Sequence, residues 1–514
     1  MFNKDNLIKH KNTIINILIT IIYAIITFLF VLHHEIWADE AQVWQIARHI
    51  QFFDLFKHLV NEGHPSLFYL LMMPFAKLGL PIFFMQVFCW LAMVGSVFLL
   101  LKHSPFNGFT KFAIITSGGF LYYFPVIARS YSILPILVFL VAILYKKQKE
   151  HPILYACTLA AIANTHVIMF AFVFILGCFF VYDNLIKEKL TNKPNLITAG
   201  IVGLSLLAVI IQLCGTEASN GSIDYNLKNI YSSCVRVFVQ FFSNSVDYFS
   251  SMQLSMKVMP DYATIYFGSS IILAILFFIL LFLIFFKNKK IFCLAFLSIG
   301  FQLAIYIFAY SNMIYPNRNF CAFLILIFSY WIILENEVFI EKTKLISKKI
   351  INTILAIFFL FTIANGINLG IKDWKYNYSS GKETAEFIKK NIDENAVIIP
   401  TLDAFGLTIY AYADKHNFHS VATHKNIKYN VWLKNDYYFA ENFGKIFTNI
   451  VNDEIKNNKF ENKEIYILAP IFLIDKNFFE KYKPEKYKTI YQSKPCLATG
   501  ESFTIYHYQQ DERE

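Results

Sequence analysis

Long apolar runs recur along the first 370 residues of the chain. A helix needs about 20 mostly apolar residues to cross the hydrocarbon core of a bilayer. Eleven segments reach or approach this length, so the pattern predicts a polytopic α-helical bundle. The predicted spans are 13–32, 82–101, 111–128, 130–145, 152–165, 167–183, 195–213, 263–286, 291–310, 320–334 and 350–370.

Two further stretches are apolar or amphipathic without being long enough to cross. The run from His64 to Leu80 is short and contains Pro65 and Pro74, which favours a helix at the membrane interface. The stretch from Tyr225 to Met256 is amphipathic and is predicted to lie along the membrane surface.

From about residue 371 the pattern changes to that of a soluble domain. Helical and strand-like segments alternate there, which is typical of a small α/β domain. We therefore divide the chain into a membrane domain, 1–370, and a second domain, 371–514. The predicted strands are 396–400, 418–421, 464–469 and 503–508, and the predicted helices are 380–390, with Ser380 as its N-cap, and 404–414.

Composition agrees with a membrane protein. Hydrophobic residues make up 56% of the chain and charged residues 16%, where a soluble protein carries roughly 25% charged residues. A soluble enzyme is therefore excluded. The net charge of +10 does not indicate a nucleic-acid partner, because membrane proteins collect Lys and Arg in their cytoplasmic loops.

The positions of Lys and Arg predict the orientation. These residues are concentrated in the loops that lie on the same side of the membrane as the N-terminus. By the positive-inside rule, that side is the cytoplasm. An odd number of spans then places residues 371–514 outside, together with two long outer loops, 33–81 and 214–262. Cys214 and Cys234 share the second loop and could pair in an oxidising compartment.

The first outer loop carries the candidate chemistry. Asp39 and Glu40 follow the first span closely and stand between Trp37 and Trp44. Solvated loop acids would be ordinary at this place. Acids close to hydrocarbon are nevertheless costly to keep ionised, so they tend to be retained for function.

These motifs resemble those of the GT-C class of membrane glycosyltransferases. The resemblance is to the branch of protein O-mannosyltransferases and lipid A aminoarabinose transferases. It rests on Asp39-Glu40, on the Gly-His-Pro segment at 62–71, on Ala128-Arg129-Ser130-Tyr131, and on Asn164-Thr165-His166. Ser66 and Phe68 depart from the second Pro and first Tyr that relatives carry. Recognisable motifs cover roughly the first 180 residues.

The resemblance implies an inverting transferase in the bacterial plasma membrane that faces outward. Its donor would be a sugar linked to polyprenyl phosphate, since nucleotide sugars are absent outside that membrane. The acceptor would be an extracytoplasmic glycolipid, glycan or protein. The sequence identifies neither the sugar nor the acceptor.

Roles for single residues follow from the same resemblance. The expected catalytic residues are Asp39, as the base, and Glu40, which is expected to orient substrate or assist. Arg129, His64 and Arg318 are expected at the donor phosphate, where an Arg fork suits phosphate oxygens. The other pocket candidates are Tyr131, His166 and Tyr69. A divalent metal is compatible with the wider class, but no segment supplies a clear ligand set, so no metal ligand and no cofactor are assigned.

Three other classes of protein are alternatives for a chain of this kind. A transporter or flippase of lipid-linked glycans would favour paired, interrupted helices in two halves, and no such pair is visible. A polysaccharide polymerase or ligase would use similar donors but usually lacks an early Asp-Glu motif. A non-catalytic receptor would not need so many spans.

Overall fold

The chain folds as a multi-pass helical bundle followed by a small α/β domain. This computed structural model describes residues 4–213, 227–246, 262–308, 316–335, 347–431, 443–458, 460, 462–471, 485–498 and 500–510. The predicted fold class, a polytopic helical membrane protein with a C-terminal α/β domain, is confirmed.

The described parts of the first 375 residues contain seventeen α-helices. They are α1 (Lys4–His33), α2 (Ala38–His49), α3 (Phe52–Glu62), α4 (Leu67–Lys77), α5 (Phe83–His103), α6 (Gly108–Thr116), α7 (Phe124–Val126), α8 (Leu134–Tyr145), α9 (Pro152–Thr165), α10 (Phe170–Phe180), α11 (Lys193–Leu213), α12 (Leu227–Val246), α13 (Tyr262–Lys287), α14 (Lys289–Phe308), α15 (Pro316–Glu335), α16 (Lys348–Leu360) and α17 (Ile363–Lys375).

Eight helical segments of the described chain are long and apolar enough to cross a membrane. Each coincides with one of the eleven predicted spans. They are His10–His33, Phe83–His103, Val167–Lys187, Lys193–Leu213, Gly268–Lys287, Lys289–Phe308, Asn317–Glu335 and Lys348–Lys375.

The other three predicted spans form shorter helices. The segment 111–128 is broken, because Ser117 is extended and Gly118 donates its backbone N–H to the carbonyl of Thr362, 3.1 Å away. A Cβ on Gly366 would lie 2.8 Å from the Cα of Gly118, so glycine is required where these two backbones meet. The segments at 130–145 and 152–165 form α8 and α9, which are too short to cross alone.

The first outer loop is largely helical. α2 packs between α4 and the C-terminal domain, and eight consecutive residues from Glu40 to Ala47 are buried. α3 is amphipathic: Leu55 and Leu59 are buried, whereas Phe53 is 80% exposed. α4 forms the short helix expected over His64 to Leu80, with Pro74 inside it.

α12 covers most of the amphipathic stretch predicted at 225–256. It packs against α13 and α15, with Val237 and Phe241 buried. Residues 225–226 and 247–256, like Cys214 of the suggested disulfide, lie outside the described residues, so that pairing stays a prediction.

The C-terminal domain is built on one mixed sheet. Its helices are α18 (Gly381–Asn391), α19 (Leu407–Tyr412) and α20 (Phe443–Asn457); its strands are β1 (Val397–Pro400), β2 (Asn417–Ser420), β3 (Lys425–Asn426), β4 (Ile465–Pro470), β5 (Tyr487–Gln492) and β6 (Phe503–Tyr508). The strand order is β3-β2-β1-β4-β6-β5, with β1 parallel to β2 and β4. The six elements predicted here are all present.

One detail of this domain differs from the prediction. Ser380 occupies the N-cap position of α18, but its hydroxyl donates to the carbonyl of Lys494 at 2.7 Å instead of capping the helix. The Ser379 hydroxyl accepts from the Gly381 N–H at 3.0 Å and takes that role. Two adjacent serines cannot be told apart by sequence, because either side chain can reach the first turn.

The sheet and the first outer loop share a hydrophobic core. Because side chains alternate along a strand, Ile398 faces α2 and α4 while Val397 and Ile399 face α20. Trp44 of α2 and Leu468 of β4 belong to the same buried cluster. The division at residue 370 remains a prediction, and the two sides of that boundary pack together.

Candidate active site

Asp39 presents a partly open carboxylate at the end of the bundle. It is the second residue of α2, and its side chain is 37% exposed. The guanidinium of Arg129 lies 3.3 Å from Oδ2 and donates from Nη1 to the Asp39 carbonyl at 2.5 Å. Arg129 is itself buried, with 7% of its side chain exposed. The pair places an accessible acid against a buried cation.

Glu40, by contrast, is fully enclosed. Its Oε1 accepts from the Ala128 N–H at 2.6 Å, and its Oε2 accepts from the Trp37 N–H at 3.1 Å and contacts His34 Nε2 at 3.2 Å. With 0% of the residue exposed, this carboxylate is closed off from solvent, and its expected role toward substrate stays a prediction. The carboxylate fixes the peptide that leads into Arg129, and so fixes Arg129 against Asp39.

A left-handed turn at Gly63 directs the chain so that His64 lies in the site. Gly63 ends α3 with φ +67°, a conformation that glycine adopts without strain. Arg129 Nη2 then donates to His64 Nε2 at 3.3 Å. Burial, and then the charges of Arg129 and Arg318, hold the pKa of His64 well below its usual value, so the ring is neutral. Its Nδ1 is buried and has no partner among the described residues.

The segment after His64 is fixed to the ends of two helices. The Ser66 N–H donates to Gln212 Oε1 at 2.8 Å, and Gln212 Nε2 donates to Asn164 Oδ1 at 3.3 Å. Since Gln212 belongs to α11 and Asn164 to α9, the Gly-His-Pro segment cannot shift independently of the bundle.

His166, Tyr131 and Arg318 complete the cluster. The His166 ring lies 5.0 Å from the His64 ring and 4.7 Å from that of Tyr131, between ring centroids. Arg318 Nε donates to Tyr131 Oη at 3.2 Å. His166 Nδ1 accepts from the Ile168 N–H, and its buried Nε2 has no partner among the described residues. The structure thus brings two arginines and two neutral histidines together.

Tyr69 lies at the edge of this cluster. It is buried, and its hydroxyl is 3.4 Å from Glu62 Oε2. Glu62 also accepts from Gln42 at 2.8 Å and contacts His58 at 3.1 Å. The Tyr69 hydroxyl is therefore directed to the interior of the outer loop.

Two groups near the site were missed by sequence reasoning. His34 bridges Glu40 and Asp373, whose Oδ2 lies 2.9 Å from Nδ1. Burial alone would lower the pKa of His34, but Asp373 and Glu40 raise it to about 10, so it is a buried cation. The position of His34 next to Glu35, directly after the first span, could have indicated it from the sequence. Glu501, whose Oε1 accepts from the Ala38 N–H at 3.0 Å, gave no signal because it lies 463 residues away.

In the described parts of the chain, no group of three or more His, Cys, Asp or Glu side chains is arranged to hold a metal ion.

The fold and the site together define a multi-pass membrane protein with a polar cluster at one end of its bundle, beneath a small α/β domain. No protein-family model matches the chain, and no curated protein matches it in sequence. Among solved structures it is similar to the crystal structure of ArnT from Cupriavidus metallidurans bound to undecaprenyl phosphate. That similarity has a TM-score of 0.42 and 8% identity, and it covers 96% of this chain and 97% of that chain. Similarity at this level concerns overall arrangement alone.

Proposed function

We propose that the protein is an inverting glycosyltransferase that takes its sugar from a polyprenyl-phosphate-linked donor. The observation that supports this most is the contact between Asp39 and Arg129, where a partly exposed acid meets a buried cation. A transferase of this kind needs both groups side by side: a base for the acceptor hydroxyl and a cation for the phosphate that leaves.

The buried cluster suits the phosphate. Arg129 and Arg318 supply charge, and the neutral rings of His64 and His166 supply further polar contacts. Hydrogen bonds between ionised groups are the strong ones in a dry site. The unpartnered atoms, Nδ1 of His64 and Nε2 of His166, are suited to contact phosphate oxygens or sugar hydroxyls.

Asp39 serves as the base in this mechanism. Its carboxylate takes the proton of the acceptor hydroxyl while the oxygen bonds to the anomeric carbon. The bond from that carbon to the phosphate oxygen breaks with its electron pair, and Arg129 stabilises the polyprenyl phosphate that leaves. Since Arg129 contacts Asp39, a donor phosphate that binds the guanidinium competes with this contact and leaves Asp39 free to accept the proton.

The location follows from the same reasoning. We place the protein in the bacterial plasma membrane with this end outward, where lipid-borne sugars are available. The acceptor, a glycolipid, glycan or protein, enters between the first outer loop and the C-terminal domain. A cavity of about 380 Å³ lies between this loop and Tyr429, at the end of α2 opposite to Asp39. It is lined by His49, Ile50, Gln51, Asp54, Lys57, His58 and Tyr429.

The experiment compares wild type with Asp39→Asn in nanodiscs supplied with a panel of radiolabelled polyprenyl-phosphate sugars and a membrane extract. We expect release of polyprenyl phosphate by wild type and a loss of about a hundredfold or more in the variant, as for removal of a general base. Asp414→Asn is the matched control, because Asp414 pairs with Arg48 of α2 at 3.1 Å and is similarly exposed. It should retain full activity.

Two results would contradict the proposal. Equal turnover in wild type and Asp39→Asn would remove Asp39 from the chemistry. Folded wild-type protein that binds no donor from the panel would favour a transporter or flippase instead, and transport of the labelled lipid into the opposite leaflet would be measured next.

A further inference from the structure

The first turn of α2 is capped by a residue from the far end of the chain. The first N–H groups of a helix have no partner inside it, and a polar side chain usually satisfies one of them. Here the N-cap residue is Trp37, whose indole has no acceptor. Glu40 accepts from the Trp37 N–H, and Glu501 accepts from the Ala38 N–H at 3.0 Å. Asp39 is the next residue.

Both the side chain and the backbone of Glu501 are fixed by hydrogen bonds within the C-terminal domain. Its Oε2 accepts from the hydroxyls of Ser379 at 2.8 Å and Thr408 at 3.0 Å. Its backbone carbonyl accepts from the Ser380 N–H at 2.9 Å. A Cβ on Gly381 would come within 2.1 Å of the Thr408 hydroxyl oxygen, so glycine is what lets Thr408 reach the carboxylate.

We propose that Glu501 is a positioning residue for the transfer reaction. It fixes Asp39 through the first turn of α2, so that the C-terminal domain forms part of the catalytic structure. This inference rests on the proposed function, in which Asp39 is the base. Reacting groups misplaced by about 1 Å can lose about a hundredfold in rate, and loss of the Glu501 contact frees the backbone adjacent to Asp39.

Two substitutions of Glu501 distinguish the effect of the position of its side-chain oxygens from the effect of its charge. Glu501→Gln keeps an oxygen for the Ala38 N–H, and the hydroxyls of Ser379 and Thr408 can accept from its amide. Glu501→Asp keeps the charge but is one methylene shorter, so it cannot contact both Ala38 and the two hydroxyls. Positioning therefore predicts that Gln retains most activity and that Asp does not.

The matched control is another buried carboxylate of the same domain. Glu454 is 2% exposed and contacts His419 Nε2 at 2.7 Å, on the sheet side that packs with α20. Glu454→Gln should disturb the domain without disturbing α2.

The experiment measures kcat and donor KM for each variant, with hydrogen exchange of the amides at 38–41. We expect Glu501→Asp to lower kcat at least about tenfold, with KM within about twofold and faster amide exchange. Glu501→Gln should stay within about threefold of wild type, and Glu454→Gln should leave kcat and exchange unchanged.

Each other outcome overturns the inference. A fully active Glu501→Asp, or an equal loss of kcat in Glu454→Gln, would reduce Glu501 to general stabilisation of the domain. If Gln loses as much as Asp, an oxygen held at this position is not sufficient for activity, and the positioning role fails. If wild type itself transfers no sugar, the proposed function fails and the inference with it, whereas the exchange data still report whether Glu501 caps α2.

Discussion

Three carboxylates meet at the start of α2, and their surroundings give them different tasks. Asp39 is open to solvent on one side and pairs with Arg129. Glu40 and Glu501 are buried and accept the backbone N–H groups of Trp37 and Ala38, the two residues before it. Residue type alone would not separate these roles, because the difference lies in exposure and in hydrogen-bond partners.

The ionisation of Glu501 makes the stability of the protein depend on pH. Burial raises its pKa from 4.5 to about 7, although Ser379, Thr408 and the Ala38 N–H lower it in part. Between these two pH values the unfolded chain ionises while the folded protein keeps the proton. The contribution of Glu501 to stability, about 3 kcal/mol, is therefore fully present below about pH 4.5 and is lost as the pH rises to about 7.

Glu501→Gln imitates the protonated form, so it should lose less stability than wild type as pH rises. We expect equal unfolding temperatures in detergent near pH 5 and a more stable variant at pH 8. Some pH dependence will remain in the variant, because burial also raises the pKa of Glu35 to about 7. The exposed Glu394 provides a control: Glu394→Gln should follow wild type at every pH. Parallel curves for wild type and Glu501→Gln would contradict this assignment.

At the scale of elements, the turn between α3 and α4 depends on one glycine. Gly63→Ala introduces a side chain where φ is +67° and where no atom lies within 4 Å of the new Cβ. The cost is therefore backbone strain alone, about 1 kcal/mol. We also expect weaker donor binding, since His64 follows directly. Thermal unfolding and donor KM measure the two effects.

Gly200→Ala is the control for that substitution. Gly200 lies inside α11 with open space around it, so alanine should stabilise the helix by up to about 1 kcal/mol and leave donor KM unchanged. If Gly63→Ala behaves in the same way as Gly200→Ala, the left-handed turn does not position His64.

The pattern of the sequence predicted most elements and none of their long-range contacts. Apolar length identified the spans, and the alternation of segments identified six elements of the C-terminal domain. It missed β3, β5 and α20 of the C-terminal domain, and α2 and α3 of the first outer loop. β3 is only two residues long, and the buried face of α2 is rich in polar residues such as Gln42 and Gln45. Gln42 pairs with the backbone of Asn430 at 2.8 Å and 2.9 Å, a contact that no local pattern reveals.

The candidate site shows the same limit. Asp39, Arg129, His64 and His166 were singled out from motifs, and the structure brings them together at one end of the bundle. Their chemical roles stay predictions. Glu40 was expected to orient substrate, but the depth of its burial depends on Ala128 and His34, which converge on it only in the folded protein.

At the scale of the whole molecule, all of these groups lie at the end of the bundle that carries the C-terminal domain. The proposed orientation places that end outside the cell. A cysteine introduced at the exposed Lys389 should therefore react with a membrane-impermeant maleimide on intact cells. A cysteine at the exposed Glu150 should react only after the cells are opened.

The parent chain without the added cysteine gives the background labelling in this experiment. Labelling of Glu150→Cys on intact cells, with Lys389→Cys protected, would invert the topology. The polyprenyl-linked donor would then have to be presented on the cytoplasmic side.

The contact between Ala38 and Glu501 joins residues 463 positions apart. A ribosome adds about 5–20 residues per second. The segment that contains Glu501 is therefore synthesised roughly 20 to 90 seconds after the first outer loop. During that interval the buried face of this loop, including Trp44, has no sheet to pack against. Newly inserted chains are thus exposed to proteases and chaperones at this loop until synthesis is nearly finished, and a truncation that removes Glu501 and β6 leaves them in that state.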